Sequence, residues 1–134
     1  MSYLVDTSVL TRLANATVRE RLRDLAAQGL HRATITDLEI GFSARNGDEW
    51  DGLSVAVGAF DLVEIHEHHF QRARHVQRLL ADKGLKGRKI PDLLIAAIAE
   101  STSLNVLHYD ADFGHIASIT GQSTEWIVAR GTID

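Results

Sequence analysis

The chain has 134 residues, 14 Lys and Arg against 18 Asp and Glu, one proline and no cysteine. Its 45% apolar and 24% charged residues suit a folded soluble protein and exclude intrinsic disorder. The missing cysteines remove disulfides, thiol nucleophiles, iron–sulfur clusters and Cys-based zinc sites. A net charge of −4 argues against coating nucleic acid or anionic membrane by bulk charge.

In chain order, the apolar run Tyr3-Leu4-Val5 reads as a short buried strand ending at Asp6. One or two helical turns follow from Thr7 to about Asn15. A helix over Val18–Gln28, with Leu22 and Leu25 on one face, stops at Gly29. Arg32–Ile35 reads as a second strand. Thr36-Asp37-Leu38-Glu39 has capping-box spacing and predicts a helix start there. A helix over Asp48–Phe60 and a β-rich run over Leu62–Ile65 come next. Phe70, Ala73, Val76, Leu79 and Leu80 then fall at helical spacing, with Arg72, Arg74 and Arg78 on other faces.

Pro91 suits the first turn of a helix reaching about Ser103, and its segment Leu93–Ala99 is apolar nearly all round. Val106–Tyr109 and Trp126–Val128 read as two further strands. The alternation predicts one α/β domain over 1–134, a parallel sheet covered by helices on both faces. No stretch approaches the ~18 apolar residues of a membrane span, and Asp6 comes too early for a signal peptide. A cytoplasmic, membrane-free protein is expected.

Ligands of open α/β sheets gather beyond the carboxyl ends of the strands, so the acids at those places matter. Asp6 closes the first strand, Asp110 closes the Val106–Tyr109 strand with Asp112 two residues on, and Glu39 and Asp92 open helices. Each alone is explained as a helix cap or dipole partner. Converging together, they would repel one another unless a cation lay among them. All-oxygen ligands favour a hard ion, Mg²⁺ or Mn²⁺, and such an ion suits phosphodiester hydrolysis.

Tyr3–Leu10, Glu39, Pro91–Ala97 and His108–Phe113 resemble, in order and spacing, the PIN-domain signature, most closely that of VapC-type ribonuclease toxins. The resemblance spans essentially the whole chain. It implies a three-layer α/β/α fold and Mg²⁺/Mn²⁺-dependent endoribonuclease activity. Asp6, Glu39, Asp92 and Asp110 take the catalytic positions, and Asp6, Asp92, Asp110 and Asp112 the metal. Ser8 is implied as a supporting hydroxyl. It further implies a homodimer and a VapB-like antitoxin whose C-terminal segment lies over the acids.

The basic segment Lys83–Lys89 precedes Asp92 and offers Lys86, Arg88 and Lys89 as RNA-contact candidates. Its Gly84-Leu85-Lys86-Gly87 also fits the G-x-x-G loop of a non-catalytic RNA-binding module. A receiver-like phosphotransfer domain is the other alternative, weakened by the lack of lysine after Lys89. His66, His68 and His69 lack a metal-ligand spacing and read as solvated. His108 reads as a packed structural histidine beside the site.

Overall fold

The computed structural model describes all 134 residues, and the alternation becomes five strands and seven helices. In order they are β1 (Tyr3–Val5), α1 (Thr7–Leu10), α2 (Ala16–Leu25), β2 (Leu30–Ala33), α3 (Thr34–Phe42) and α4 (Gly47–Val57). Then follow β3 (Asp61–Val63), α5 (Glu67–Asp82), α6 (Ile90–Thr102), β4 (Asn105–His108), α7 (Asp112–Thr120) and β5 (Thr124–Trp126). All strand pairs are parallel, in the order β3-β2-β1-β4-β5. That order differs from the 2-1-3-4-5 order of receiver-like sheets, which removes the phosphotransfer alternative.

Successive strand residues point to opposite faces, and the core divides accordingly. Leu4 and Val106 join α5, α6 and α7 on one side, whereas Tyr3, Val5 and Leu107 pack with α1, α2 and residues of α3 and α4 on the other. The three-layer α/β/α expectation holds. Helix α6 fills the first layer: Asp92 to Ala99 are all buried, as its unbroken apolar run predicts. Pro91 sits in its first turn, where the missing N–H costs nothing.

The strand order reverses between β1 and β4, the crevice at which open α/β sheets bind ligands. The backbone N–H of Asp6 donates to Leu107 O at 2.9 Å, so the ends of these two strands lie side by side. The candidate acids of the first and fourth strands therefore share one rim.

Several boundaries differ from the sequence reading. Strand β2 ends at Ala33 rather than Ile35, and α3 starts at Thr34. The Thr36–Glu39 capping box does not form. Thr36 lies inside the helix, buried with its hydroxyl unpartnered, and the Glu39 carboxylate is taken up by Thr7. The short helix expected to reach Asn15 stops at Leu10, and Asn15 instead caps α2 by accepting from Thr17 and Val18 N–H. The last strand lies two residues earlier than expected, at Thr124–Trp126.

Candidate active site

Asp6 is positioned by the turn it makes from β1 into α1. Its Oδ2 accepts from Ser8 N at 2.9 Å and Ser8 Oγ at 2.6 Å, the geometry of an N-cap. Ser8 Oγ in turn accepts from Tyr109 N at 2.9 Å, so one hydroxyl ties the end of β1 to the end of β4. Asp6 is almost fully buried, and burial raises its pKa against the opposing pull of the Ser8 bonds.

Thr7, between these two residues, donates from Oγ1 to Glu39 Oε1 at 2.7 Å. This bond brings α3 to the rim. Glu39 also titrates above its ordinary value, through burial first and the nearby Asp6 charge as well. Thr7 was not singled out from sequence, although its hydroxyl stands directly after Asp6.

Asp92 enters from the first turn of α6 and is 7% exposed. Its Oδ2 is buried without a hydrogen-bond partner. Burial, then the charges of Asp6 and Asp110, push its pKa up to about 7. Asp110 follows β4; its Oδ1 accepts from Asp112 N at 2.9 Å, which starts α7. Burial alone would raise Asp110, but Lys89 and the Asp112 N–H outweigh it and hold the group below its usual range.

Carboxylate oxygens of Asp92, Asp110 and Asp112 lie within 4.8 Å of one another. Asp6 stands outside that tight trio, close enough that its charge raises Asp92 and the charge of Asp110 raises Asp6. Glu39 lies beyond Asp6. Of the expected metal ligands, the fold therefore gathers three closely and sets Asp6 beside them with its Oδ2 engaged by Ser8.

The one ammonium among these acids belongs to the chain itself. Lys89 Nζ donates to Asp110 Oδ2 at 2.9 Å and stands 3.4 Å from both Asp92 Oδ2 and Asp112 Oδ2. The Asp92 approach is ion-pair distance without hydrogen-bond alignment, so Asp92 Oδ2 stays unpartnered. The Asp110 bond holds the Lys89 pKa above its ordinary value. Expected as an outward RNA contact, Lys89 is turned toward the acids; Lys86 and Arg88 are exposed.

A divalent cation fits this arrangement on the chemistry of the donors. The oxygens are close, acidic and short of positive charge, and one is buried with no hydrogen bond, met only by Lys89 at 3.4 Å. Oxygen donors alone select a hard ion over zinc or copper.

His108 lies beneath, buried between Phe113 and Trp126 at ring-centroid distances of 5.0 and 4.9 Å. Burial lowers its pKa to about 4, and its Nδ1 accepts from Asp110 N at 3.2 Å. It is neutral and orients the backbone at Asp110, in keeping with a structural role. His66 and His68 are exposed, as expected. His69 is not: it is buried, accepts from His66 N at 2.9 Å and bonds Ser101 Oγ at 2.8 Å. The G-x-x-G loop is pinned at its second glycine, because a Cβ at Gly87 would stand 3.0 Å from Asp112 O and 3.3 Å from His115 Cβ, whereas Gly84 faces open space. The φ of +95° at Gly87 also favours glycine.

The PIN domain family matches residues 3–119. The chain belongs to that family. Ribonuclease VapC51 of Mycobacterium tuberculosis is 56% identical over 135 aligned positions, covering 100% of this chain and 98% of that protein. Ribonuclease VapC21 of the same species is 44% identical, covering 97% and 96%. Among solved structures, VapBC2 from Rickettsia felis, bound to a DNA fragment from its promoter, superposes with a TM-score of 0.80. It is 17% identical, over 94% of this chain and 98% of that one. VapBC-5 from Mycobacterium tuberculosis gives 0.65 at 22% identity over 96% and 98%. At these identities the structures speak for the fold alone.

Proposed function

We propose that this chain, acting as one PIN-like domain over 1–134, is a metal-dependent endoribonuclease and the toxin of a toxin–antitoxin pair. The observation that carries the chemistry is the buried, unpartnered Oδ2 of Asp92 within an acidic cluster that holds a single ammonium. Family membership and near-full-length likeness to two VapC ribonucleases support the RNA substrate and the toxin role.

Mg²⁺ is the proposed cofactor, with Mn²⁺ able to replace it; Asp92, Asp110 and Asp112 would hold it, with Asp6 alongside. When bound, such an ion polarises a phosphate oxygen and lowers the pKa of a water. The chain supplies the rest. Ser8 fixes the rotamer of Asp6 through two hydrogen bonds, and Asp112 N–H fixes Asp110. Glu39, held through Oε1 by Thr7 and raised in pKa, is suited to taking up a proton from an attacking water. Lys86 stands on the basic loop beside the acids as an RNA-contact candidate.

An antitoxin partner has chemistry to meet at two places. A cationic side chain would complement the acids, and Leu38, Phe42 and Val55 on α3 and α4 are 70%, 91% and 79% exposed. Apolar groups so exposed are the kind a protein partner covers. A second copy of the chain is the other proposed partner. No helix is long and apolar enough to cross a membrane, in accord with a cytoplasmic place of action.

The test is RNA cleavage by the purified chain. Cleavage in Mg²⁺ or Mn²⁺, lost with EDTA and lost in Asp6→Asn at unchanged circular dichroism, is expected. Full activity of Asp6→Asn, or equal activity in EDTA, would overturn the mechanism.

A further inference from the structure

Four of the eleven arginines pair with an acidic side chain of the same chain, and three of those without such a pair stand together. Arg21, Arg32, Arg45 and Arg72 each form an ion pair with a carboxylate of the same chain. Arg74, Arg78 and Arg88 form none, are exposed, and line one groove of about 870 Å³ together with Gln71, His75 and Gln77. No carboxylate lines it. A protein of net charge −4 thus keeps three free guanidinium groups together and lets no acid neutralise them.

The groove lies at the acidic end of the fold. His69 of α5 bonds Ser101 of α6, and Arg72 bonds Glu100, so the start of α5 lies beside the end of α6. The two helices are antiparallel, and the second half of α5, with Arg74 and Arg78, runs toward the first turn of α6 where Asp92 stands. Arg88 and Lys89 connect the two regions. Lys89 reaches into the carboxylates, while its neighbour Arg88 lines the groove. Gly87 packs against α7 immediately before them.

A second cleft adjoins it. Arg74 and Gln77 also border an apolar pocket of about 210 Å³ between α5 and α6, where Phe70 and Ile90 are 44% and 65% exposed. Guanidinium groups pair with phosphate through two parallel hydrogen bonds, and apolar or aromatic surfaces beside a cationic track take unstacked bases. An acidic peptide would use the charges but not that combination.

We infer that Arg74, Arg78 and Arg88 form a backbone-binding track for single-stranded RNA flanking the scissile phosphate, with the Phe70–Ile90 cleft receiving a base. This rests on the ribonuclease reading above and adds the part of the substrate that the acids do not touch. The track acts on binding, not on the chemical step.

The experiment measures anisotropy of a fluorescein-labelled, mixed-sequence 20-nucleotide RNA with the full chain in EDTA, over a range of NaCl. Arg74→Gln/Arg78→Gln should weaken binding roughly tenfold, and each lost phosphate contact should lower the salt slope by ~0.7. Adding Arg88→Gln should extend both effects. In Mn²⁺, cleavage at saturating RNA should keep its rate while the half-saturating RNA concentration rises. Unchanged binding and slope in these variants, with wild-type cleavage intact, would sink the track and spare the ribonuclease. Variants that keep RNA binding but lose self-association or antitoxin binding would show a protein interface and overturn it equally. A wild type that neither binds nor cleaves RNA would remove the function and the track together.

Discussion

Helix α6 carries ionisable neighbours at both ends and treats them in opposite ways. At its C-terminal end Glu100 receives Arg72 Nε at 2.7 Å and Nη2 at 3.0 Å, and Ser101 Oγ meets His69 at 2.8 Å. Each charge has its opposite. At its N-terminal end Asp92, Asp110 and Asp112 share one lysine, Asp6 adds its charge, and Asp92 Oδ2 has only the 3.4 Å approach of that lysine. Buried polar groups are mostly satisfied within the chain, Thr36 Oγ1 and Asn105 Oδ1 being the neutral exceptions. An unbalanced group left in a buried rim disfavours the folded state and is retained where a ligand completes it.

That contrast can be broken in steps. Asp92→Asn should cut RNA cleavage by at least ~100-fold, the upper end for disturbing a metal's outer shell. It should leave the melting temperature in EDTA unchanged or higher, since a buried charge is removed; single-turnover cleavage and thermal melts measure both. Between the two ends, Ile98→Ala should cost ~2–5 kcal/mol of stability, read by urea denaturation, because Ile98 is fully buried. The apolar middle holds the helix, and neither end can substitute for it.

The acidic end also sets a pH dependence. Asp92 has its pKa raised from 3.8 to about 7 by burial first, so the folded state binds its proton more tightly than the unfolded state. The stability it contributes is full below about 4 and is lost as pH rises through about 7. Asp92 therefore favours the metal-free fold at pH 5 over pH 8, against the opposing pull of the buried His108, and Asp92→Asn should lower stability at pH 5 relative to pH 8 when set against the wild type. A melting temperature of Asp92→Asn that changed with pH as the wild type does would assign the effect elsewhere.

Smaller effects sharpen the picture. Lys89→Met removes the one internal cation, so the metal-free protein should lose stability while Mn²⁺ binds at lower concentration by several-fold, followed by calorimetry. Arg72→Met at the satisfied end should cost about 1 kcal/mol or less, as half-exposed ion pairs do, with cleavage unchanged.

Much of this was legible in the sequence where the signals are local. Pro91 and the apolar run after it define α6, and Asp6, Asp92 and Asp110 stand at strand and helix ends that a parallel sheet must bring to one rim. Features settled by distant partners were not legible. Glu39 leaves its expected cap for Thr7, 32 residues away; His69 is buried by Ser101, also 32 residues away; Lys89 turns inward to Asp110, 21 residues on. Arg74 and Arg78 look in sequence like any solvated helix face. Only packing α5 antiparallel to α6 brings them to Arg88 and the first turn of α6.

Ser8 has a consequence for how the site moves. Its hydroxyl accepts the Tyr109 amide while donating to Asp6, so the two strand ends cannot part without exposing that amide. Hydrogen–deuterium exchange at this one position therefore times the opening of the rim. Slow exchange that accelerates in Ser8→Ala would make Tyr109 a built-in clock, readable without substrate, metal or partner.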